Sequence, residues 1–321
     1  MVVRFWGTRG SLPVALTSAG VRRKLLAALG RARGRRLDTE AAIAAFLDEE
    51  LEFAVAGTFG GNSSCVEVDT GGEEHVLCDL GSGARAFGND VLARRGAGRP
   101  GTFHVLLSHM HWDHIMGFPF FGPAYMVGNR IRIYGGHANL EAALRRQHGS
   151  PSFPVAFERL AATVEFVQLE PDRSYEIGGL RVTPKRQFHP GDSYGYRLER
   201  DGRALVYSTD SEHKRDDPAE TDQFVAFFRE ADLVVFDAQY SLADAISIKE
   251  DWGHSSNVVG VELCQLARVR RLCLYHHEPV FDDERLASLL AETQRLEEIT
   301  RARAGHRVEV LAAYDGLEIA L

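Results

Sequence analysis

The stretch Ser108-His109-Met110-His111-Trp112-Asp113-His114 gathers three imidazoles and a carboxylate within six residues, and its reading decides the fold. Just before it, Thr102-Phe103-His104-Val105-Leu106-Leu107 is apolar and β-branched, which predicts a buried strand. After it, Ile115-Met116-Gly117 suits a turn into a helix. The polar cluster therefore lies at the C-terminal edge of a strand. Imidazole and carboxylate are the ligand types that hold zinc and related divalent ions, and a strand-end loop can turn alternate side chains toward one centre. Four such groups in so short a stretch suit two neighbouring ions.

The stretch resembles the His-x-His-x-Asp-His signature of the metallo-β-lactamase-fold hydrolases. The resemblance implies an α/β chain folded as an αββα sandwich with its active site along one edge. It assigns His109 and His111 to one metal, and Asp113 and His114 to a second. It also requires three more ligands downstream, and the sequence offers each in order. His189, within Gln187-Phe188-His189-Pro190-Gly191, falls where the family completes the first metal. Asp210, after the strand-like Ala204-Leu205-Val206-Tyr207-Ser208, falls where it bridges both ions. His276, the first residue beyond the strand Arg271-Leu272-Cys273-Leu274-Tyr275, falls on the second metal, leaving His277 as a neighbour or rim residue. Zinc is the first expectation for the two divalent ions, and the same ligands accept manganese or iron.

Length and composition fit this reading. A chain of 321 residues with 45% hydrophobic residues can build a substantial core. No apolar run is long enough to cross a bilayer, and the strand-like Val2-Val3-Arg4-Phe5-Trp6-Gly7 does not read as a signal peptide, so a cytoplasmic protein is expected. The net charge of −8 argues against broad, non-specific binding to nucleic acid. Cys65, Cys78, Cys264 and Cys273 lie in apolar segments without Cys-x-x-Cys spacing and read as buried free thiols.

One domain over residues 1–321 is expected, with a helical insertion over about 19–53. The insertion reads as two helices separated near Gly34. The first carries Arg22, Arg23, Lys24, Arg31, Arg33, Arg35 and Arg36, and the second starts at a cap, Asp38-Thr39. It reads as a solvated hairpin or dimer contact, or as a basic lid over an anionic substrate. Ahead of it, Gly7-Thr8-Arg9-Gly10-Ser11-Leu12-Pro13 is a glycine-punctuated loop that also resembles the opening of a bacterial branch of the superfamily. It reads as a tight turn, or as backbone amides that face a phosphate or the metals together with Arg9 or Ser11. Asp79, in Asp79-Leu80-Gly81-Ser82-Gly83 at the end of a strand, is expected to accept hydrogen bonds from the metal loop and to orient a ligand histidine.

Hydrolysis of a phosphoester also calls for a proton donor to the leaving alkoxide. Gly253-His254-Ser255-Ser256 resembles the segment that supplies it in tRNase Z-like phosphodiesterases, and Asp237, ending Leu233-Val234-Val235-Phe236-Asp237, falls on its partner carboxylate. The expected catalytic group is thus Asp113, His254 and Asp237, with a metal-bridging hydroxide as nucleophile. Arg9 is the candidate phosphate contact, and Phe118, Phe120 and Trp252 are candidate stacking surfaces, all four from position alone. No glycine- and lysine-rich arm is evident, so a small cyclic or linear phosphodiester is favoured over a nucleic acid. The alternatives are a tRNA 3′-end processing endonuclease and a metal-containing signalling effector with little turnover. A homodimer is compatible with the resemblance.

Overall fold

The structure, a computed structural model, describes residues 1–96, 98–213, 218–239 and 253–321. Trp252 lies outside the described residues. Two seven-stranded sheets face each other. The first comprises β1 (Val2–Gly7), β2 (Cys65–Asp69), β3 (His75–Cys78), β4 (Thr102–Leu106), β5 (Arg130–Gly135), β6 (Thr163–Gln168) and β14 (Glu318–Ala320), in the order β14-β1-β2-β3-β4-β5-β6. The second comprises β7 (Tyr175–Ile177), β8 (Leu180–Gln187), β9 (Ser193–Arg200), β10 (Arg203–Ser208), β11 (Leu233–Asp237), β12 (Arg271–Tyr275) and β13 (Glu309–Ala312), in the reverse-numbered order β13 to β7. Strands β3 to β6 run parallel, as do β10 to β13.

Period-two patterning explains the layers. Along β11, Leu233 and Val235 enter the core between the sheets, while Val234 and Phe236 pack outward under helices. Along β12, Cys273 and Tyr275 point inward and Leu272 and Leu274 outward. Such strands are apolar throughout because both faces are covered. The outer face of the second sheet lies under the helices Pro218–Phe228, Asn257–Leu266 and Asp283–Ala304. The outer face of the first, with Leu77, Phe103, Val105 and Ile133, packs with Phe87 of the helix Gly83–Arg95 and Leu144 of the helix Leu140–Gln147. The arrangement is the expected αββα sandwich. The four cysteines are free and buried.

The N-terminal insertion forms helices Ser18–Arg31 and Glu40–Ala45, a π-helical turn Phe46–Glu50, and a short helix Phe53–Ala56. Thr39 caps the second helix by accepting the amide of Ala42 at 3.2 Å, as its position predicts. The basic first arm is partly neutralised by the acidic second: Arg35 pairs with Glu50, and Arg31 lies 3.7 Å from Glu52. Lys24 anchors the hairpin to the body through the buried Asp283 at 2.6 Å. After β13 the chain returns to the first sheet, where β14 pairs antiparallel with the outer edge of β1.

Candidate metal centre

Strands of both sheets deliver side chains to one edge. From the first sheet, β3 leads into Asp79 and β4 leads into His109, His111, Asp113 and His114. From the second, β8 leads to His189, β10 to Asp210, β11 ends at Asp237, and β12 leads to His276. Asp79, Asp210 and His276 all have positive φ, at 63°, 48° and 58°. A left-handed residue costs on the order of 1–3 kcal/mol when it is not glycine, so a fold keeps it where the side-chain direction matters.

The donor atoms fall into two groups that share one carboxylate. His109, His111 and His189 form the first group; Asp113, His114 and His276, with Asp210, form the second. The two oxygens of Asp210 face different groups. Its Oδ2 lies 3.6 Å from His109 Nε2 and 3.8 Å from His189 Nε2, and its Oδ1 lies 3.2 Å from His114 Nε2 and 3.3 Å from His276 Nε2. Asp113 Oδ2 is 3.2 Å from His114 Nε2 and 3.1 Å from His276 Nε2. His111 presents Nδ1, 3.1 Å from His189 Nε2. All seven ligands expected from the sequence are therefore brought together.

These residues suit cations. Buried His109 Nε2 has no hydrogen-bond partner among the described residues although it points into the cluster. Burial pushes the imidazoles of His109 and His111 below their usual range and that of His189 down to about 4, so they are neutral, the form in which imidazole binds metal. Burial alone would push Asp113 and Asp210 up, but His114, together with His276, outweighs it and holds both carboxyls well below the usual carboxylate range. Burial likewise opposes a charge on His114, yet Asp210, Asp113 and Asp79 raise it well above the usual range. Among the described residues no lysine or arginine pairs with Asp79, Asp113, Asp210 or Asp237. The site thus holds a negative charge that divalent ions would neutralise.

A supporting shell fixes the ligands. Asp79, fully buried, accepts the Ser108 amide on Oδ1 at 2.7 Å. Its Oδ2 accepts Ser108 Oγ at 2.8 Å and Tyr207 OH at 2.7 Å, and pairs with His114 Nδ1 at 2.7 Å, which turns His114 Nε2 to the centre. His189 Nδ1 pairs with the Gly253 carbonyl at 2.8 Å. The glycine-rich loop contributes backbone: the Ser11 amide donates to Asp113 Oδ2 at 2.8 Å. At Gly10 a Cβ would lie 2.5 Å from His276 Cε1 and Nδ1, so this loop reaches the ligand only because position 10 lacks a side chain. The roles of Ser108 and Tyr207 are not evident from the sequence.

His254 lies against the same cluster. Its Nδ1 pairs with Asp237 Oδ2 at 2.8 Å, and its ring stacks on His276 at 5.2 Å and meets His189 at 5.1 Å. Burial lowers the pKa of His254, but the charge and hydrogen bond of Asp237 outweigh it and bring the imidazole to about 9.

Two expectations need correction. Arg9 is 3% exposed and its guanidinium donates to the main-chain carbonyls of Gly60, Glu278 and Phe281. It braces the loop and does not face the centre as a phosphate contact. Phe118 is fully buried in the outer core of the first sheet, so it offers no stacking surface. Of the two readings for His277, neighbour or rim residue, the neighbour fits: it is buried, with Nε2 on the Ala313 carbonyl at 2.8 Å. Phe120 is 58% exposed but rests edge-on against Phe153, with ring centroids 5.5 Å apart.

A family model described as a β-lactamase superfamily domain matches residues 75–277, well over half of the chain, and the chain belongs to that family. It is a metallo-β-lactamase-fold hydrolase close to the tRNase Z branch. A ribonuclease Z of Thermoplasma acidophilum is 24% identical over 238 residues, covering 60% of this chain and 74% of that protein. The metallo-β-lactamase fold protein YhfI from Bacillus subtilis superposes with a TM-score of 0.65 at 18% identity, covering 99% of this chain and 98% of the other. A diphosphatase from the PhnP family superposes with a TM-score of 0.60 at 17% identity, covering 100% of this chain and 97% of the other. Among the described residues no helix is long and apolar enough to cross a membrane.

Proposed function

We propose that this protein is a dinuclear metal-dependent phosphodiesterase acting on a small cyclic or linear phosphodiester. The observation that carries the reading is the 2.8 Å pair of His254 Nδ1 and Asp237 Oδ2 beside the ligand cluster, because a phosphodiester needs a proton donor for its leaving alkoxide. His109, His111 and His189 would hold one ion, and Asp113, His114 and His276 the other, with Asp210 shared. Two divalent ions in such a site supply a water of lowered pKa and a polarised phosphoryl group. The chain's own residues do the rest. Asp237 accepts a hydrogen bond from the Nδ1–H of His254 and keeps the ring oriented. With a pKa near 9 the imidazole is protonated at neutral pH, and the Nε2 proton is the one to pass to the leaving oxygen. Asp79 holds His114 in the tautomer whose Nε2 faces the centre.

The diphosphatase similarity supports a small phosphorylated substrate. A second reading, RNA end processing, is favoured by the ribonuclease Z relative and opposed by the acidic balance of the chain. The test is the initial rate on bis(p-nitrophenyl) phosphate with metal-depleted protein reconstituted with zinc or manganese. Metal-dependent release of nitrophenolate is expected, and a fully loaded protein with no rate under any metal would refute the proposal. Cleavage of a tRNA precursor in preference to mononucleotide diesters would select the second reading.

A further inference from the structure

The carboxylate shared by both donor groups stands on an unusual backbone. Asp210 is left-handed at φ 48° without being glycine, a conformation that persists only where the surroundings hold it. A buried polar network at the ends of β8, β9 and β10 does so, and Gln187, the last residue of β8, is its hub. Gln187 Nε2 donates to the Thr209 carbonyl at 2.7 Å, which fixes the peptide group before Asp210. The same nitrogen donates to Ser193 Oγ at 3.0 Å, and that hydroxyl donates to the Asp210 carbonyl at 2.7 Å, which fixes the peptide group after it. Gln187 Oε1 accepts Ser208 Oγ at 2.6 Å. Both amide hydrogens and the amide oxygen are thus engaged.

The reach of this amide depends on a gap in the sheet. Gln187 pairs with Ser193 across β8 and β9, so its side chain must cross β9 to touch Ser208 and Thr209 at the end of β10. Gly195 lies two residues along β9 from Ser193 and therefore on the same face, and a Cβ there would collide with Gln187 Oε1. The Asp210 carboxylate is itself turned by its neighbour, since Thr209 Oγ1 donates to Asp210 Oδ1 at 2.7 Å. Gln187, Ser193, Ser208 and Thr209 are all buried, so water does not replace a lost partner cheaply. Satisfying a buried amide requires only some set of partners. Here the set includes both peptide groups of one candidate ligand.

Resting on the reading of Asp210 as the carboxylate shared by two ions, we propose that Gln187 is a positioning residue for the metal centre. It locks the left-handed backbone of Asp210, so that one side chain presents Oδ2 toward His109 and His189 and Oδ1 toward His114 and His276. Its loss therefore acts on both ions, whereas Asp79 orients a ligand of one. Gln187 also precedes His189 by two residues, and an effect carried through His189 would reach the first ion only.

The test is metal binding by the full chain, read without turnover. Metal-depleted protein is titrated with zinc against a competing chelator, and the metal-free protein is melted alongside. Wild type is expected to take up two ions per chain. Gln187→Leu, which keeps the bulk and removes the amide, should weaken both by about 10- to 100-fold, the range for loss of an orienting partner. Gly195→Ala should reproduce the loss with every polar group of the network still present. Val182→Ala, a cavity in the middle of β8, is the control: it should lower the melting temperature and leave both affinities at the wild-type level. Should Gln187→Leu fail to fold, Ser193→Ala, which removes only the hydroxyl between Gln187 and Asp210, carries the same expectation. Unchanged affinities in the folded variants, weakening of one ion only, or an equal loss in Val182→Ala would overturn the inference. A wild type that binds fewer than two ions would instead overturn the two-ion reading on which it rests.

Discussion

Asp79 Oδ2 and His114 Nδ1 are 2.7 Å apart in a fully buried pair, although the two residues come from different strand ends and lie 35 positions apart. The carboxylate fixes which nitrogen of His114 faces the centre. Asp79→Asn keeps the shape but makes one Oδ position a donor facing other donors. Metal affinity at the Asp113, His114 and His276 side should weaken by about 10- to 100-fold, as losses of such orienting partners do. Titration against a competing chelator measures it, and an unchanged affinity would mean that Asp79 serves only the fold.

His254→Ala should separate binding from turnover. Metal content should stay at the wild-type level, while the rate on a diester with an alkoxide leaving group falls by about 10²–10⁴-fold. A p-nitrophenolate leaving group needs less protonation, so its loss should be smaller. Equal losses on both substrates would point to a positioning role.

The same residue sets the pH profile. Since His254 must be protonated to donate, and Asp237 raises its pKa to about 9, turnover on the unactivated diester should fall as pH rises through the alkaline range. That limb should vanish in His254→Ala, whose residual rate comes from water. A limb retained in the variant would assign it to another group.

Gly10→Ala introduces a methyl where His276 Cε1 and Nδ1 would lie 2.5 Å away. Either the loop or the ligand must move, so metal affinity should drop by about tenfold or more with little change in global stability. Elemental analysis after dialysis, paired with a thermal melt, reads both quantities.

Stability should fall in mild acid. The ring of His213 is packed by Phe224, Phe228 and Phe236, and neither of its nitrogens has a hydrogen-bond partner among the described residues. Burial lowers its pKa to about 4. The unfolded chain therefore takes up the proton first, so stability is lost as pH falls from about 6.5 toward 4 and levels below that. His213→Phe should remove on the order of 2 kcal/mol of that loss and leave the protein no less stable at pH 8. Denaturant melts at pH 8 and pH 5 test it, and an unaltered difference would place the acid sensitivity elsewhere.

Much of this architecture is legible in the sequence because it is locally encoded. Strands such as Leu233–Asp237 and Arg271–Tyr275 are continuous apolar runs, and each is followed by or ends in a residue capable of binding metal or orienting it. What is not legible depends on direction. Phe118 and Phe120 lie two positions apart, yet one is in the core and the other on the surface, because the short 3-10 turn between them follows neither strand nor helix period. Arg9 sits in the loop nearest the centre and still points its guanidinium into backbone carbonyls. β7 and β14 have three residues each, too few for a periodicity to register. The helix Gly83–Arg95 opens on a glycine and contains another at position 88, which disguises it as a loop.

The pairing of β14 with β1 has a consequence for how the chain is made. Strand β1 leads directly into the loop that touches Asp113 and approaches His276, and one of its two edges is covered only by residues 318–320. Until residues 318–320 have paired, that edge stays open as a template for intermolecular pairing, and the loop that buttresses the centre hangs from a strand held on one side. A chain lacking residues 318–320 would carry every proposed ligand and yet be aggregation-prone, so the solubility of the protein rests on a three-residue strand far from the centre in sequence.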